Sequence, residues 1–233
     1  NPPPSTINKN PNKKPKETKT MKRKYDQLLT IGSDAKTVKG EKEQVLTGIL
    51  YLAPHKISGK NFCSHATEGC IMSCLYTAGR GKFTSTQVAR IKRSRYLTEE
   101  YNNFMLDAVE SIIRLKKKAF NKGFTPAVRL NGTSDLLWEN MYISQELILS
   151  RKYILNNIDF MSPVTENKMT LLDLFADIQF YDYTKNPFRK TPKNLHITFS
   201  RAESNEEKVK IALDRGQNIA VVFEELPTEY MGR

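Results

Sequence analysis

Three cysteines fall within twelve residues of this 233-residue chain, at Cys63, Cys70 and Cys74, and the chain has no others. Six residues separate the first pair and three the second. Soft thiolates at close spacing suit either zinc or an iron–sulfur cluster. In the zinc reading, His65 joins Cys63, Cys70 and Cys74 as a Cys₃His set. In the cluster reading, three thiolates hold the iron and leave one iron open to a substrate or cofactor, with Tyr76 covering the cluster. The plainest alternative is that the three are buried as small apolar side chains. A disulfide fits poorly, because the count is odd and the chain is long enough to build a core.

A second group of candidates sits where predicted strands end. Asp135 and Asp182 are carboxylates that could act as base or nucleophile. The other readings are a turn residue for Asp135 and a buried partner of Lys185 or Arg129 for Asp182. Arg129 and Arg201 could clamp a carboxylate or phosphate, or simply balance Asp135 and Glu203. Asn131, Lys185 and Glu203 complete the expected substrate-binding set. His196 lies mid-strand and reads as a satisfied face residue, and His55 carries no signal. The short basic loop Gly79-Arg80-Gly81-Lys82 could touch phosphate. No phosphate-loop, nucleophile-elbow or His-Glu-x-x-His pattern is present.

These residues need elements to hold them. Apolar runs predict strands over residues 45–52, 127–131, 178–183, 195–199 and 219–223. Between them, helices are expected from Thr84 as N-cap, from Thr98-Glu99-Glu100 to a stop at Gly123, over 169–175 and over 206–215. Residues 136–161 read as largely helical, with Trp138, Leu147, Ile148, Ile154 and Leu155 in the core. Residues 25–44 are polar and hold a short strand or an irregular lead-in. Strands alternating with helices favour a mostly parallel sheet. The expected fold is α/β, a partial (β/α) barrel of about five to six mostly parallel strands. Its polar strand ends would gather at one mouth, beside the cysteine loop that follows the first strand. A doubly wound sheet is the alternative.

The net charge is +12, of which residues 1–24 carry +7: eight Lys or Arg against Glu17 alone. That segment lacks apolar periodicity and is expected to be a disordered basic tail. Residues 25–233 then form a single domain, with a metal loop over 59–78. A basic tail suits nucleic acid through counterion release, and also suits a merely solvated arm. The chain lacks the roughly 18 consecutive apolar residues of a membrane span, so no membrane association is expected. Its polar opening, Asn1-Pro2-Pro3-Pro4, and few cysteines point to a reducing setting, the host-cell cytoplasm.

Several blocks together resemble the phage "gene product 88" family. They are Leu52-Ala53-Pro54, the spaced Cys63, Cys70 and Cys74, residues 128–135 (Val128-Arg129-Leu130-Asn131-Gly132-Thr133-Ser134-Asp135), residues 180–185 and residues 195–201. The likeness runs from about residue 45 to the end and implies a phage origin without a settled activity. A cysteine loop after the first strand is also similar to the layout of radical S-adenosylmethionine enzymes. Their usual Cys-x-x-x-Cys-x-x-Cys spacing differs from the intervals here. That likeness implies an iron–sulfur cluster with S-adenosylmethionine, acting on nucleic acid or a nucleotide. Two other functions remain open: a zinc-stabilised nucleic-acid-binding protein without catalysis, and a transglycosylase-like barrel with an Asp nucleophile and structural zinc.

Overall fold

A computed structural model describes residues 24–32, 35–158, 168–225 and 227–229. The chain opens with strand β1 (Leu29–Ile31), helix α1 (Ala35–Glu41) and strand β2 (Val45–Leu50). After the cysteine loop, which holds helix α2 (Glu68–Met72), come α3 (Thr84–Glu99), α4 (Tyr101–Lys122) and β3 (Thr125–Arg129). A small excursion follows: β4 (Tyr142–Ser144), α5 (Gln145–Leu149), α6 (Lys152–Leu155), β5 (Lys168–Thr170) and α7 (Leu171–Leu174). The chain then adds β6 (Gln179–Thr184), β7 (Leu195–Ser200), α8 (Glu206–Asp214) and β8 (Asn218–Ala220).

The main sheet has six strands in the order β1-β2-β3-β6-β7-β8. β1 runs antiparallel to β2, and every other pairing is parallel. From β2 onward the order rises without reversal, as in a (β/α) barrel. The sheet nevertheless does not close: β1 pairs only with β2 and β8 only with β7, so both edges stay open. The expected barrel is therefore corrected to an open, mostly parallel sheet. Closure needs a mutually consistent strand number, tilt and stagger, and six strands with one reversed at the edge do not supply it.

Helix α4 explains most of the core. Every residue from Phe104 to Ile113 is buried, Asp107, Glu110 and Ser111 included, so this part of the helix is enclosed on all sides, and Leu115 and Ala119 continue a buried stripe beyond it. Gly123 adopts a left-handed φ of 68° and its N–H reaches the Ala119 and Phe120 carbonyls, ending the helix as the sequence predicts. The Thr125 N–H then donates to the Gln44 carbonyl at 2.8 Å, which starts β3 in register beside β2.

Of the expected helical stretch 136–161, residues 159–161 lie outside the described residues, and residues 136–158 differ from expectation. A 3₁₀ turn and β4 precede two short helices, and β4 pairs antiparallel with β5, outside the main sheet. Ser144 and Thr170 cap the helices that follow each strand, so local capping divides what periodicity joins. Trp138, Ile148 and Ile154 are buried as expected, Leu147 is half-buried, and Leu155 is exposed. Thr84 is the first residue of α3, whose N-cap position falls to Phe83 without a side-chain cap. The basic tail lies outside the described residues up to Arg23. Lys24 is ordered: its ammonium is 2.6 Å from Glu100 and lies over the Tyr96 ring at 4.6 Å. Among the described residues no helix is long and apolar enough to cross a membrane.

Candidate functional site

Because β2, β3, β6, β7 and β8 are parallel, their C-terminal ends share one edge of the sheet. The loop after β3 is built on Asn131, which is 1% exposed. Its carbonyl oxygen accepts from Ser134 Oγ at 2.8 Å, Leu136 N at 3.0 Å and Trp138 Nε1 at 3.1 Å. Its amide nitrogen donates to the Leu136 carbonyl at 2.9 Å and to Asp182 on the neighbouring strand. Every polar group of that side chain is thereby used, which fixes where Asp135 stands.

Beneath the edge lies a buried ionic cluster. Arg189, 3% exposed, makes a two-pronged contact with Glu139, Nε to Oε1 at 2.9 Å and Nη2 to Oε2 at 2.7 Å. Its Nη1 donates to Asp182 Oδ2 at 3.0 Å and lies 3.7 Å from Asp135 Oδ1. Burial alone would lower the Arg189 pKa, but Glu139 and Asp182 outweigh it and raise it. Asp182 is pushed up to about 6 by burial, against the opposing pull of Arg189. Asp135 accepts from Thr184 Oγ1 at 2.8 Å and Lys185 N at 3.1 Å, and is only half-buried.

The cysteine loop is tied to this edge at two points. The Asp135 N–H donates to the Phe62 carbonyl at 2.8 Å, one residue before Cys63. Glu203, after β7, accepts from Thr67 Oγ1 at 2.9 Å and Gly69 N at 2.8 Å. A Cβ on Gly69 would stand 2.9 Å from the Glu203 carboxyl carbon, so glycine there lets the carboxylate approach. Those amide and hydroxyl donors, beginning with Glu203's own backbone, hold its carboxyl below the usual range.

Cys63, Cys70 and Cys74 are free and half-buried, and His65 is half-buried in the same loop. Burial pushes the Cys63 thiol up to about 11, with Asp135, Cys74 and Cys70 adding to it. Burial likewise raises Cys74, with Cys70 adding and Arg90 and Lys185 opposing. Asp135 thus acts on Cys63, and Arg90 and Lys185 act on Cys74. Among the described residues, no three His, Cys, Asp or Glu side chains gather into a group that could hold one metal ion.

Residues 22–230 match the family model described as Gene product 88. The chain belongs to that phage family. No curated protein and no solved structure matches it.

In this Gene product 88 chain, Asp135, Asp182, Asn131 and Lys185 come together at the strand ends, as the sequence suggests. The partner of Asp182 is Arg189 rather than Lys185 or Arg129. Lys185 instead reaches Ser200 Oγ at 3.3 Å. Arg129 turns away from the cluster: its Nε donates to the Asn131 carbonyl at 3.1 Å and its guanidinium lies over the Tyr183 ring at 4.9 Å. Arg201 pairs with Glu206 in the first turn of α8, not with Glu203. His196 lies on β7 with its Nε2 3.1 Å from Asn218 Nδ2, which fits the satisfied face residue expected.

Sequence reasoning missed Arg189 and Glu139. Arg189 stands in an aperiodic stretch between β6 and β7, and Glu139 in a segment that reads as surface helix. The one available signal was chemical: two carboxylates at adjacent strand ends need a cation, and arginine's planar fork serves several acceptors at once.

Proposed function

We propose that this Gene product 88 chain is a phage enzyme working at the C-terminal edge of its sheet, in the reducing cytoplasm of the host. Cys63, Cys70 and Cys74 hold an iron–sulfur cluster, and the substrate is a nucleotide or nucleic acid. The observation that supports this best is that the loop carrying the three half-buried thiols is tied to the strand-end edge, through the Asp135 N–H to the Phe62 carbonyl and through Glu203 to Thr67 and Gly69. By type the donors suit a cluster with one open iron, which would take S-adenosylmethionine or substrate and supply redox chemistry, but the described side chains do not gather into a metal-holding group, so the loop would have to draw the three sulfurs together. A cluster also spreads its ligands over several metal atoms, so it asks less of their spacing than a single ion does. Burial keeps Cys63 protonated in the metal-free chain, and a bound cation reverses that preference.

Asp135 is the catalytic group in this reading, since its carboxylate is half-exposed and its backbone N–H is bonded to the Phe62 carbonyl beside Cys63. Asp182 acts as a positioning residue, because Arg189 links it to Asp135. Lys185 binds substrate, and Asn131 and Glu203 hold the two loops in place. Arg201, turned toward Glu206, would need to swing to contribute.

Anaerobic reconstitution followed by iron and sulfide analysis tests the reading. Stoichiometric iron and sulfide, lost in Cys63→Ser, Cys70→Ser and Cys74→Ser, are expected. Protein that takes up no iron under those conditions overturns it. Stoichiometric zinc instead, dependent on His65, would favour a zinc-stabilised nucleic-acid-binding protein. The position of His65 in the same loop supports that second reading, though the loop would have to tighten around the ion.

A further inference from the structure

Next to the cysteine loop lies a cleft of about 780 Å³, within the size range of small-ligand sites. Three parts of the fold wall it. The ends of β2 and β3 give Tyr51, Arg129 and Gly132, the 3₁₀ turn Gly79–Lys82 gives Arg80, and α3 gives Arg90 and Arg93. Four arginines therefore line one space, and no Asp or Glu is among the described residues that line it.

We propose that this cleft binds the phosphate groups of a nucleotide, free or within a strand. This names the substrate class of the function proposed above and rests on it only for the nearness of the thiols.

The arginines are held in place rather than splayed into solvent. Arg90 is buried, with its guanidinium 4.8 Å from the Tyr51 ring centre and 5.5 Å from that of Tyr76, and its Nη1 donates to the Tyr76 carbonyl at 3.3 Å. Arg93 donates to the Leu28 carbonyl at 3.3 Å, and burial, reinforced by Arg90, lowers its pKa. Arg129 is braced by Tyr183 and the Asn131 carbonyl. Pre-set guanidinium forks suit phosphate oxygens, which accept two parallel N–H donors. Helix α3 adds to the field. It is 16 residues long, no side chain caps its start, and Ser85 and Thr86 of its first turn line the cleft. Tyr51 and the exposed Leu75 offer an aromatic and an apolar surface for a base. Leu75 follows Cys74, and the Thr133 carbonyl on the opposite wall is 3.9 Å from Cys63 Sγ. A ligand anchored by its phosphates here would extend toward the thiols.

Calorimetry or fluorescence anisotropy on the 233-residue, metal-free chain tests this. The probes are ATP, inorganic pyrophosphate, a labelled single-stranded oligonucleotide, and adenosine as the uncharged control. Binding of ATP displaced by pyrophosphate indicates a free nucleotide, and binding of the oligonucleotide alone indicates strand phosphates. Either supports the cleft, provided that Arg80→Ala and Arg129→Ala each weaken it about tenfold or more, while the tail variant Lys13→Ala/Lys14→Ala/Lys16→Ala leaves it in place. No binding of any phosphate probe overturns the proposal, as does binding lost with the tail charges and unmoved by both arginine variants. Should Arg129→Ala unfold, Arg80→Ala decides, since that side chain is exposed. Hydrogen-exchange protection over residues 79–93 on adding ligand gives an independent readout in the unmodified chain. Because metal content is assayed separately, a chain without iron leaves this result standing.

Discussion

Arginine meets two different fates in this molecule. Arg189 is buried against three carboxylates, Glu139, Asp182 and Asp135. The cleft beside the cysteine loop is lined by four arginines, with no acidic residue among its described lining. A guanidinium withdrawn from water needs anionic partners within the protein, because the uncompensated charge costs several kcal/mol. Of the cleft arginines, Arg80 stays exposed to water that a ligand can replace, while Arg90 is buried against the Tyr51 and Tyr76 rings instead of against carboxylates. The same residue type thus builds the platform in one place and lines an open cleft in the other, where we propose that it binds phosphate.

The sharpest way to break that contrast is to remove the platform cation. Arg189→Met should destabilise the chain by about 3–5 kcal/mol, since three carboxylates then lose their shared partner. Urea denaturation measures it, and a loss below about 1 kcal/mol would show that Arg189 is no more structural than the cleft arginines. Asn131→Ala comes next. Ser134, Leu136 and Trp138 lose an acceptor and Asp182 a donor, so a loss of about 3 kcal/mol is expected in the same assay. The cleft should behave in the opposite way. Arg80→Ala should leave the urea midpoint nearly unchanged, within about 0.5 kcal/mol, while phosphate binding falls.

The platform also carries a pH signature. Burial raises Asp182 to about 6 in the folded chain, above its unfolded value near 3.8. Its proton is therefore bound more tightly when folded. The stability it contributes is complete below the unfolded pKa and is lost as pH rises through about 6. Subtracting the stability curve of Asp182→Asn from that of the unmodified chain should isolate a fall across this window. A flat difference would mean that Arg189 compensates the carboxylate fully.

These two regions also differ in how far the sequence reveals them. Periodicity locates β2, β3, β6 and β7 well, because each is an apolar run bounded by polar residues. It also ends α4 at Gly123, where a left-handed residue is needed. The strand-end candidates Asn131, Asp135, Asp182 and Lys185 follow from that framework. Hydrophobic pattern says nothing of β1 and little of α1, which come from a polar stretch. Nor does it show β4 and β5, whose pairing of Ser144 with Lys168 joins residues far apart in sequence. The Arg189–Glu139 pair spans 50 residues, and the arginines of the cleft come from three separate elements. Sequence shows the cations but not which of them will find carboxylates, and that distinction governs their roles here.

The smallest effect should come from the strap that joins the platform to the cysteine loop. Glu203 is exposed, so Glu203→Gln should hardly move global stability. It should instead loosen α2, because a carboxamide is a weaker acceptor for the Gly69 amide and the Thr67 hydroxyl than a carboxylate is. Faster amide exchange over residues 69–73, without a change elsewhere, is the expected readout. The sign with pH is opposite to that of Asp182. Glu203 is held below its usual pKa, so its contribution is present above the unfolded value and is lost as pH falls through the depressed one. Acidification should therefore loosen the cysteine loop while the Asp182 contribution to the platform beneath it strengthens. If exchange in α2 is insensitive both to Glu203→Gln and to acid, the loop is positioned by its other ties, the Asp135 N–H to the Phe62 carbonyl and Arg90 to the Tyr76 carbonyl.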